Sequence, residues 1–273
     1  MAKPLTFIDG EARDHLSSHD RGLAYGHGVF ETMRLHGGDV PLLALHLERL
    51  AGGLSGLGIP AAATGIAGQL ADLLPLMPAA GIVKLVVTAG VGPRGYRQAG
   101  AAPTVIVHWY PPPAASAEAR LQVCRYRLPA NPRFAGIKHL NRLDQVVAAM
   151  EITEPDRHGL LLDGADQVVE TLGHNLFVLR DGRWSTPPLE NCGVAGVMRR
   201  YLLETLLPAE GIAAEVAAIA AGDLGLAEEI FICNAVSGIT PVADIAAIGH
   251  WSRHPATDQL RRRLGSRLPC FAG

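Results

Sequence analysis

The chain has 273 residues, of which 48% are hydrophobic and 18% charged, and its formal net charge is -2. Such a composition describes an ordered globular protein of one large or two moderate domains and excludes a disordered chain, which needs low hydrophobicity and high net charge. It gives no general attraction to nucleic acid or to an anionic membrane, although small anionic ligands need only local positive charge.

In chain order, Leu5 to Ile8 followed by Asp9-Gly10 predicts a strand and a turn. Val29 to Leu35 alternates apolar and polar residues and then turns at Gly37-Gly38, which reads as a hairpin strand. Leu42 to about Leu57 has apolar residues at helical spacing and ends near Gly58, and a second helix is expected from Gly68 to Leu76. Ile82 to Thr88 and Thr104 to Tyr110 read as buried strands. The run Pro111-Pro112-Pro113-Ala114-Ala115-Ser116 continues neither strand nor helix and favours a stiff connector. The expected organisation is therefore an N-terminal α/β domain over 1–112, a linker at 113–118 and a C-terminal mixed β/α domain over 119–273.

The second half opens with a strand from Leu121 to Leu128, then a helix from Arg142 to Ile152. Asp163-Gly164 and Asp181-Gly182 sit between apolar runs, as hairpin turns do. Gly193-Val194-Ala195-Gly196 precedes a helix from about Val197 to Leu206, and strands follow at Glu229 to Cys233 and Ile239 to Val242. The fold class is mixed α/β (α+β), with no internal repeat. The N-terminal stretch lacks the apolar core of a secretory signal, and no apolar run reaches transmembrane length, so a cytoplasmic protein is expected. The four cysteines are far apart with no metal-ligand spacing; idle thiols are expected and no metal site.

Only three of the 24 basic residues are lysines, at positions 3, 84 and 138. An arginine-rich chain that keeps a lysine can be keeping an amine able to lose its proton and attack a carbonyl. Lys3 lies near the terminus, and Lys84 reads as one polar position in a half-exposed strand. Lys138 is bracketed by apolar residues and glycine just before a helix, surroundings that favour its neutral form; the plain alternative is a surface lysine at a strand end. Glu170 ends the apolar pair Val168-Val169 and could hold a pyridine-type nitrogen or be a hairpin-end surface charge. The small-residue turn before Val197 and Met198 could cradle an anion with its N–H groups or be an ordinary loop-to-helix junction. Arg49 could bind a phosphate or be a solvated charge on its helix.

The stretch Asp20-Arg21-Gly22-Leu23-Ala24-Tyr25-Gly26-His27-Gly28-Val29-Phe30-Glu31-Thr32 resembles the N-terminal signature of the fold-type IV PLP enzymes. That family holds branched-chain and D-amino-acid aminotransferases and aminodeoxychorismate lyase. His46-Leu47-Glu48-Arg49-Leu50 is similar to its HxxRL element, and Gly136 to Gln145 resembles the cofactor-lysine segment in its lyase form. Val169-Glu170 through Phe177, Gly193 through Arg199 and Cys233-Asn234 through Val242 resemble the remaining cofactor segments, in family order.

The resemblance implies a D-amino-acid-aminotransferase-like fold, pyridoxal 5'-phosphate (PLP) on Lys138, a pairing of Glu170 with the pyridine nitrogen, and phosphate contacts from Arg49, Val197, Met198, Ala235 and Val236. At Ala235 only backbone could serve, where the family often has a hydroxyl. Thr32 falls at a catalytic position, Arg94 could take a substrate carboxylate, and Tyr25, His27 and Phe30 would border the substrate. His27 stands where aspartate is usual, and Leu172-Gly173-His174 replaces the more usual Thr-x-Ser. The resemblance further implies a homodimer and conversion of 4-amino-4-deoxychorismate to 4-aminobenzoate and pyruvate, a step of folate biosynthesis. An aminotransferase acting on D- or branched-chain amino acids is the alternative, and a non-catalytic binding protein on the same scaffold the remote one.

Overall fold

The computed structural model describes residues 5–97, 100, 102–112 and 116–272. The chain separates into two compact units, Met1–Ala114 with Ile137–Asn141 and Ala115–Gly136 with Arg142–Gly273.

In the first unit, strands β1 (Leu5–Ile8), β2 (Glu11–Ala12), β3 (Gly28–Leu35), β4 (Gly81–Thr88) and β5 (Thr104–Tyr110) form an antiparallel sheet in the order β2-β1-β5-β4-β3. Side chains alternate across a strand. Val29, Met33 and Leu35 of β3 therefore join Val83, Leu85 and Val87 of β4 in the core, while Phe30, Thr32 and Arg34 stay half-buried on the other face. Helices α1 (Arg21–Tyr25), α2 (Leu43–Gly56) and α3 (Ala63–Leu73) follow from the first half of the unit, and α2 and α3 seal the core with Leu50, Leu54, Ile66 and Leu70.

Two local expectations change. The turn at Gly37-Gly38 is present, with His36 paired to Asp39, yet no returning strand follows. Pro41 leads straight into α2, and β3 pairs along its whole length with β4, from Gly28 opposite Thr88 to Leu35 opposite Gly81. Helix α3 begins at Ala63, five residues before the expected start. Glycines 65 and 68 disfavour it by about 1 kcal/mol each, but burial of Ile66, Leu70 and Leu73 along one helix face outweighs that cost.

The second unit holds β6 (Ala119–Leu128), β7 (Arg157–Asp163), β8 (Val168–Thr171), β9 (Asn175–Arg180), β10 (Arg183–Thr186), β11 (Ala214–Val216), β12 (Glu229–Asn234), β13 (Gly238–Ile245) and β14 (Gly249–His250). They run β11-β10-β9-β12-β13-β6-β7-β8, with β14 on β13. The β10–β11, β13–β6 and β6–β7 pairs are parallel and the others antiparallel. Leu160–Leu162 and Ile230–Cys233 are buried on both faces, which is why they read as unbroken apolar runs.

The helices of this unit are α4 (Leu143–Ala149), α5 (Val197–Tyr201), α6 (Leu207–Ala209) and α7 (Pro255–Arg267). Helix α4 is shorter than the expected 142–152. A π-type turn at Leu202–Leu206 joins α5 to α6. The turn after β7 is built by Asp163, whose carboxylate accepts from the N–H groups of Ala165 (2.8 Å) and Gln167 (2.9 Å), with Asp166 rather than Gly164 in the left-handed region at φ 56°. Helix α7 is not foreseen from the sequence. It buries little beyond Thr257, Leu260 and Leu264, and buried Glu229 caps it by accepting from Ala256 N (2.8 Å), Thr257 N (2.8 Å) and Thr257 Oγ1 (2.7 Å).

The mixed α/β class matches the expectation. Of the expected linker 113–118, residues 113–115 lie outside the described residues. Lys138 was expected within 119–273, but its segment Ile137–Asn141 belongs to the first unit, because it pairs there with β3.

Candidate active site

Strand β3 ends the first sheet, and an open sheet edge presents unpaired backbone groups. Here the lysine segment covers that edge. Phe30 N–H donates to Lys138 O (2.9 Å), Leu140 N–H donates to Gly28 O (2.9 Å), and Val29 stands opposite His139. Ile137 anchors one end against α2, so close that a Cβ at Gly56 would lie 2.8 Å from its Cδ1. Asn141 anchors the other, its Nδ2 donating to Gly26 O at 3.1 Å. Gly26 sits at φ +62°, and a Cβ there would come within 2.4 Å of Asn141 Oδ1. Glycine is thus required both by conformation and by space.

This pairing directs Lys138 to the half-buried face of the sheet, with Nζ 4.4 Å from the centre of the Phe30 ring. Thr32 follows on the same face, opposite Lys84 in β4. Lys84 Nζ lies 5.3 Å from the same ring. The sequence reading left Lys84 as a plain polar strand position; its nearness to Phe30 comes from a cross-strand register that no local pattern encodes. Beyond it lies His108, whose pKa is lowered by burial and then by Lys84.

On the core side of β3, Glu31 takes Nδ1 of His46 at 2.6 Å and Nε of Arg49 at 2.8 Å, with a further bond from Arg49 Nη2. Burial pushes the Glu31 carboxyl up, but the hydrogen bonds from His46 and Arg49 outweigh it and hold the group below the ordinary carboxylate value. Burial pulls His46 down, and Glu31 only partly restores it. The tautomer follows: Nδ1 carries the proton, and protonating the buried Nε2, which has no partner, would place an N–H without an acceptor in the core. The HxxRL motif places His46 and Arg49 on one helix face; that they share Glu31 comes from the packing of α2 against β3.

A pH dependence follows. The folded-state pKa of His46 is depressed from 6.5, so its contribution to stability is complete above that value and is lost as pH falls below it. Melting temperatures between about pH 5 and 8 should decline on the acid side, and His46→Gln should flatten that decline. An equally steep fall in the variant would remove His46 as its source.

Tyr25, His27 and Arg94 also lie in the first unit. Tyr25 Oη accepts from Gly95 N–H (2.8 Å), and His27 Nε2 bonds Leu57 O (2.9 Å). Arg94 is exposed and has no partner among the described residues.

In the second unit Glu170 is 5% exposed and its Oε2 accepts from Val194 N–H at 2.9 Å. Asn175 Nδ2 donates to Val194 O (3.0 Å), so the glycine turn is held by the acid on one side and by the amide on the other. The turn delivers buried Val197 and Met198 into the first turn of α5. Their N–H groups have no acceptor among the described residues, and Gly196 supplies no side-chain cap. The expected Val236 contact is different: its N–H donates to Asn234 Oδ1 (2.9 Å), as does that of Ser237 (2.7 Å), while Ala235 is half-buried beside them. In the departing segment 172–174, Thr171 Oγ1 takes His174 N–H at 3.0 Å, an internal turn bond.

Burial raises the Cys124 and Cys192 thiols to about 11, so neither is a ready nucleophile. Among the described residues no group of three or more His, Cys, Asp or Glu side chains could hold a metal ion, and no helix is long and apolar enough to cross a membrane.

These residues suit PLP by their chemistry. Lys138 offers an amine fixed by backbone pairing, Glu170 a buried carboxylate, Arg49 an oriented guanidinium, and Val197 and Met198 two N–H groups without acceptors. The profile of the amino-transferase class IV family matches residues 28–245. An aminodeoxychorismate lyase of Vibrio harveyi is 34% identical over 96% of this chain and 98% of its own. The crystal structure of 4-amino-4-deoxychorismate lyase from Pseudomonas aeruginosa is 38% identical, with a TM-score of 0.92 over 97% of this chain and 99% of that one. The branched-chain amino acid aminotransferase of T.th., solved complexed with N-(5'-phosphopyridoxyl)-L-glutamate, shares the fold at 22% identity and a TM-score of 0.84, over 96% of this chain and 93% of that one.

Proposed function

Because the chain belongs to the class IV aminotransferase family, we propose that it is a PLP-dependent lyase converting 4-amino-4-deoxychorismate to 4-aminobenzoate and pyruvate. The observation that carries the reading is Lys138: its backbone is held by main-chain pairing with β3 and its Nζ lies 4.4 Å from the Phe30 ring, which Lys84 Nζ also approaches, at 5.3 Å. Near-full-length similarity to lyases of that activity supports it.

In this reading Lys138 would carry the cofactor, Glu170 would keep its ring nitrogen protonated, and Arg49 with the N–H groups of Val197 and Met198 would hold the phosphate, bordered by Ala235 and Val236. Bound PLP supplies an electron sink for the pair released at the reacting carbon. Lys138 Nζ would serve as the base that takes the proton from the substrate's amine-bearing carbon. The neighbouring carbon would lose its bond to the enolate oxygen, the new double bond would complete an aromatic ring, and Nζ would return its proton to the methylene carbon of the departing enolate, giving pyruvate. Tyr25, His27, Phe30 and Thr32 line the substrate's approach, and Arg94 takes one of its carboxylates.

Holoenzyme given 4-amino-4-deoxychorismate and no keto acid should release 4-aminobenzoate and pyruvate in equal amounts. The alternative is an aminotransferase of D- or branched-chain amino acids, the activity for which other relatives, 32% and 27% identical, are named. Turnover only when a keto-acid acceptor is added would establish that activity instead.

The protein is proposed to work in the cytoplasm as a homodimer. Helix α4 supports the dimer, with Leu143 at 71% and Met150 at 74% exposed beside exposed Val146 and Val147, an apolar stripe that a second copy would cover.

A further inference from the structure

We infer that Arg21 is a positioning residue whose buried guanidinium fixes the loop 91–97 in the shape that presents Arg94 to a substrate carboxylate. The inference rests on the reading above, in which Arg94 binds that carboxylate.

Arg21 is only 2% exposed, yet among the described residues no carboxylate pairs with it. Removing a guanidinium from water without a counter-ion is costly, so hydrogen bonds must satisfy it. Its Nη1 donates to Gly95 O (2.8 Å), its Nη2 to Tyr96 O (3.0 Å) and its Nε to His27 Nδ1 (3.3 Å). The guanidinium carbon lies 4.9 Å from the centre of the Tyr25 ring, whose hydroxyl takes the N–H of Gly95 at 2.8 Å. Gly95 is thus gripped through both its N–H and its carbonyl, at φ +114°, a conformation other residues rarely adopt.

The stem of the loop is tied to the same segment. Arg21 N–H donates to Gly90 O (2.9 Å), Asp20 stands opposite Val91, and Gly92 N–H donates to His19 O (3.3 Å). Every tie falls on the flanks of residue 94. The side chain in the middle is left exposed on a fixed backbone, the arrangement that lowers the ordering cost of capturing an anion.

A lysine could not replace the fork, because a single ammonium cannot donate in plane to two successive carbonyls and a ring nitrogen. His27 fits the same scheme. Its Nε2 bonds Leu57 O at 2.9 Å, which leaves Nδ1 to accept from Arg21, so His27 acts through Arg21 and the loop.

The test is steady-state kinetics of holoenzyme on 4-amino-4-deoxychorismate together with amide hydrogen exchange. Arg21→Lys should raise KM about tenfold or more while kcat falls less than about threefold. It should leave cofactor absorbance unchanged and speed exchange at Gly95 but not in β3 and β4. Arg21→Lys with Arg94→Ala should have the KM of Arg94→Ala alone, as two residues acting through one contact require. Tyr25→Phe, which removes one loop bond and leaves the buried cation in place, should give a smaller rise in KM and the same faster exchange at Gly95.

A KM unchanged by Arg21→Lys and by Tyr25→Phe, or penalties that add in the double variant, overturns the inference. If Arg94→Ala keeps the wild-type KM, the carboxylate reading fails and the inference with it. Gly95 exchange separates the cases: it is faster in Arg21→Lys if only the carboxylate role is absent, and unaltered if Arg21 never held the loop.

Discussion

Replacing Lys138 with alanine should lower turnover by about a thousandfold or more, since one side chain would lose both its bond to the cofactor and its proton-transfer role. Lys138→Arg should fare no better, because a guanidinium stays protonated and cannot attack a carbonyl. Borohydride reduction followed by mass measurement of the intact chain checks the assignment directly. Wild type should gain the mass of a reduced phosphopyridoxyl group, and both variants should not. The result that would sink the assignment is a labelled chain in Lys138→Ala. It would shift suspicion to Lys84, whose Nζ lies 5.3 Å from the Phe30 ring against 4.4 Å for Lys138.

The largest effect on stability is expected from Glu31→Ala. Glu31 is 2% exposed and receives bonds from His46 and Arg49, themselves 1% and 13% exposed at the side chain. Removing the acid leaves a nearly buried guanidinium without its counter-ion and a buried ring N–H without an acceptor. Breaking a buried pair from one side costs about 3–5 kcal/mol, which lowers the melting temperature by roughly 10 °C in a chain of this size. Glu31→Gln keeps one acceptor oxygen for His46 but loses the charge and turns an NH2 toward Arg49, so it should fall between the two. Calorimetry of the apo proteins reads this without any contribution from bound cofactor. Equal melting temperatures for wild type and Glu31→Ala would mean that the pair contributes nothing net.

Arg49 shows how far the sequence reaches. Its motif identified it as a phosphate candidate, and helical spacing put it on one face with His46. That its Nε edge is held by Glu31, 18 residues earlier, depends on β3 and α2 packing against each other. The same division runs through the secondary structure. The strand limits at Leu5–Ile8 and Thr104–Tyr110 agree with the sequence pattern because short apolar runs rich in β-branched and aromatic residues are a local signal. The start of α3 does not: the helix reaches back past Gly65 to Ala63, where burial of Ile66 in the core holds the added turn. Helix α7 stayed hidden because polar and charged residues make up most of it and only a narrow buried stripe holds it down.

By itself, the sequence determined the mixed α/β class, most element positions and the scarcity of lysine, and it singled out the residues proposed to handle a carbonyl, a ring nitrogen and a phosphate. Those properties reside in single side chains or in short-period patterns, which a linear reading captures. Only the tertiary structure decided that residues 137–141 close the edge of the first sheet, that Lys84 shares the Phe30 face with Lys138, and that Arg21 grips the loop carrying Arg94. Each of these is a contact across roughly 50 to 110 residues, set by strand register and by the need of buried polar groups for partners.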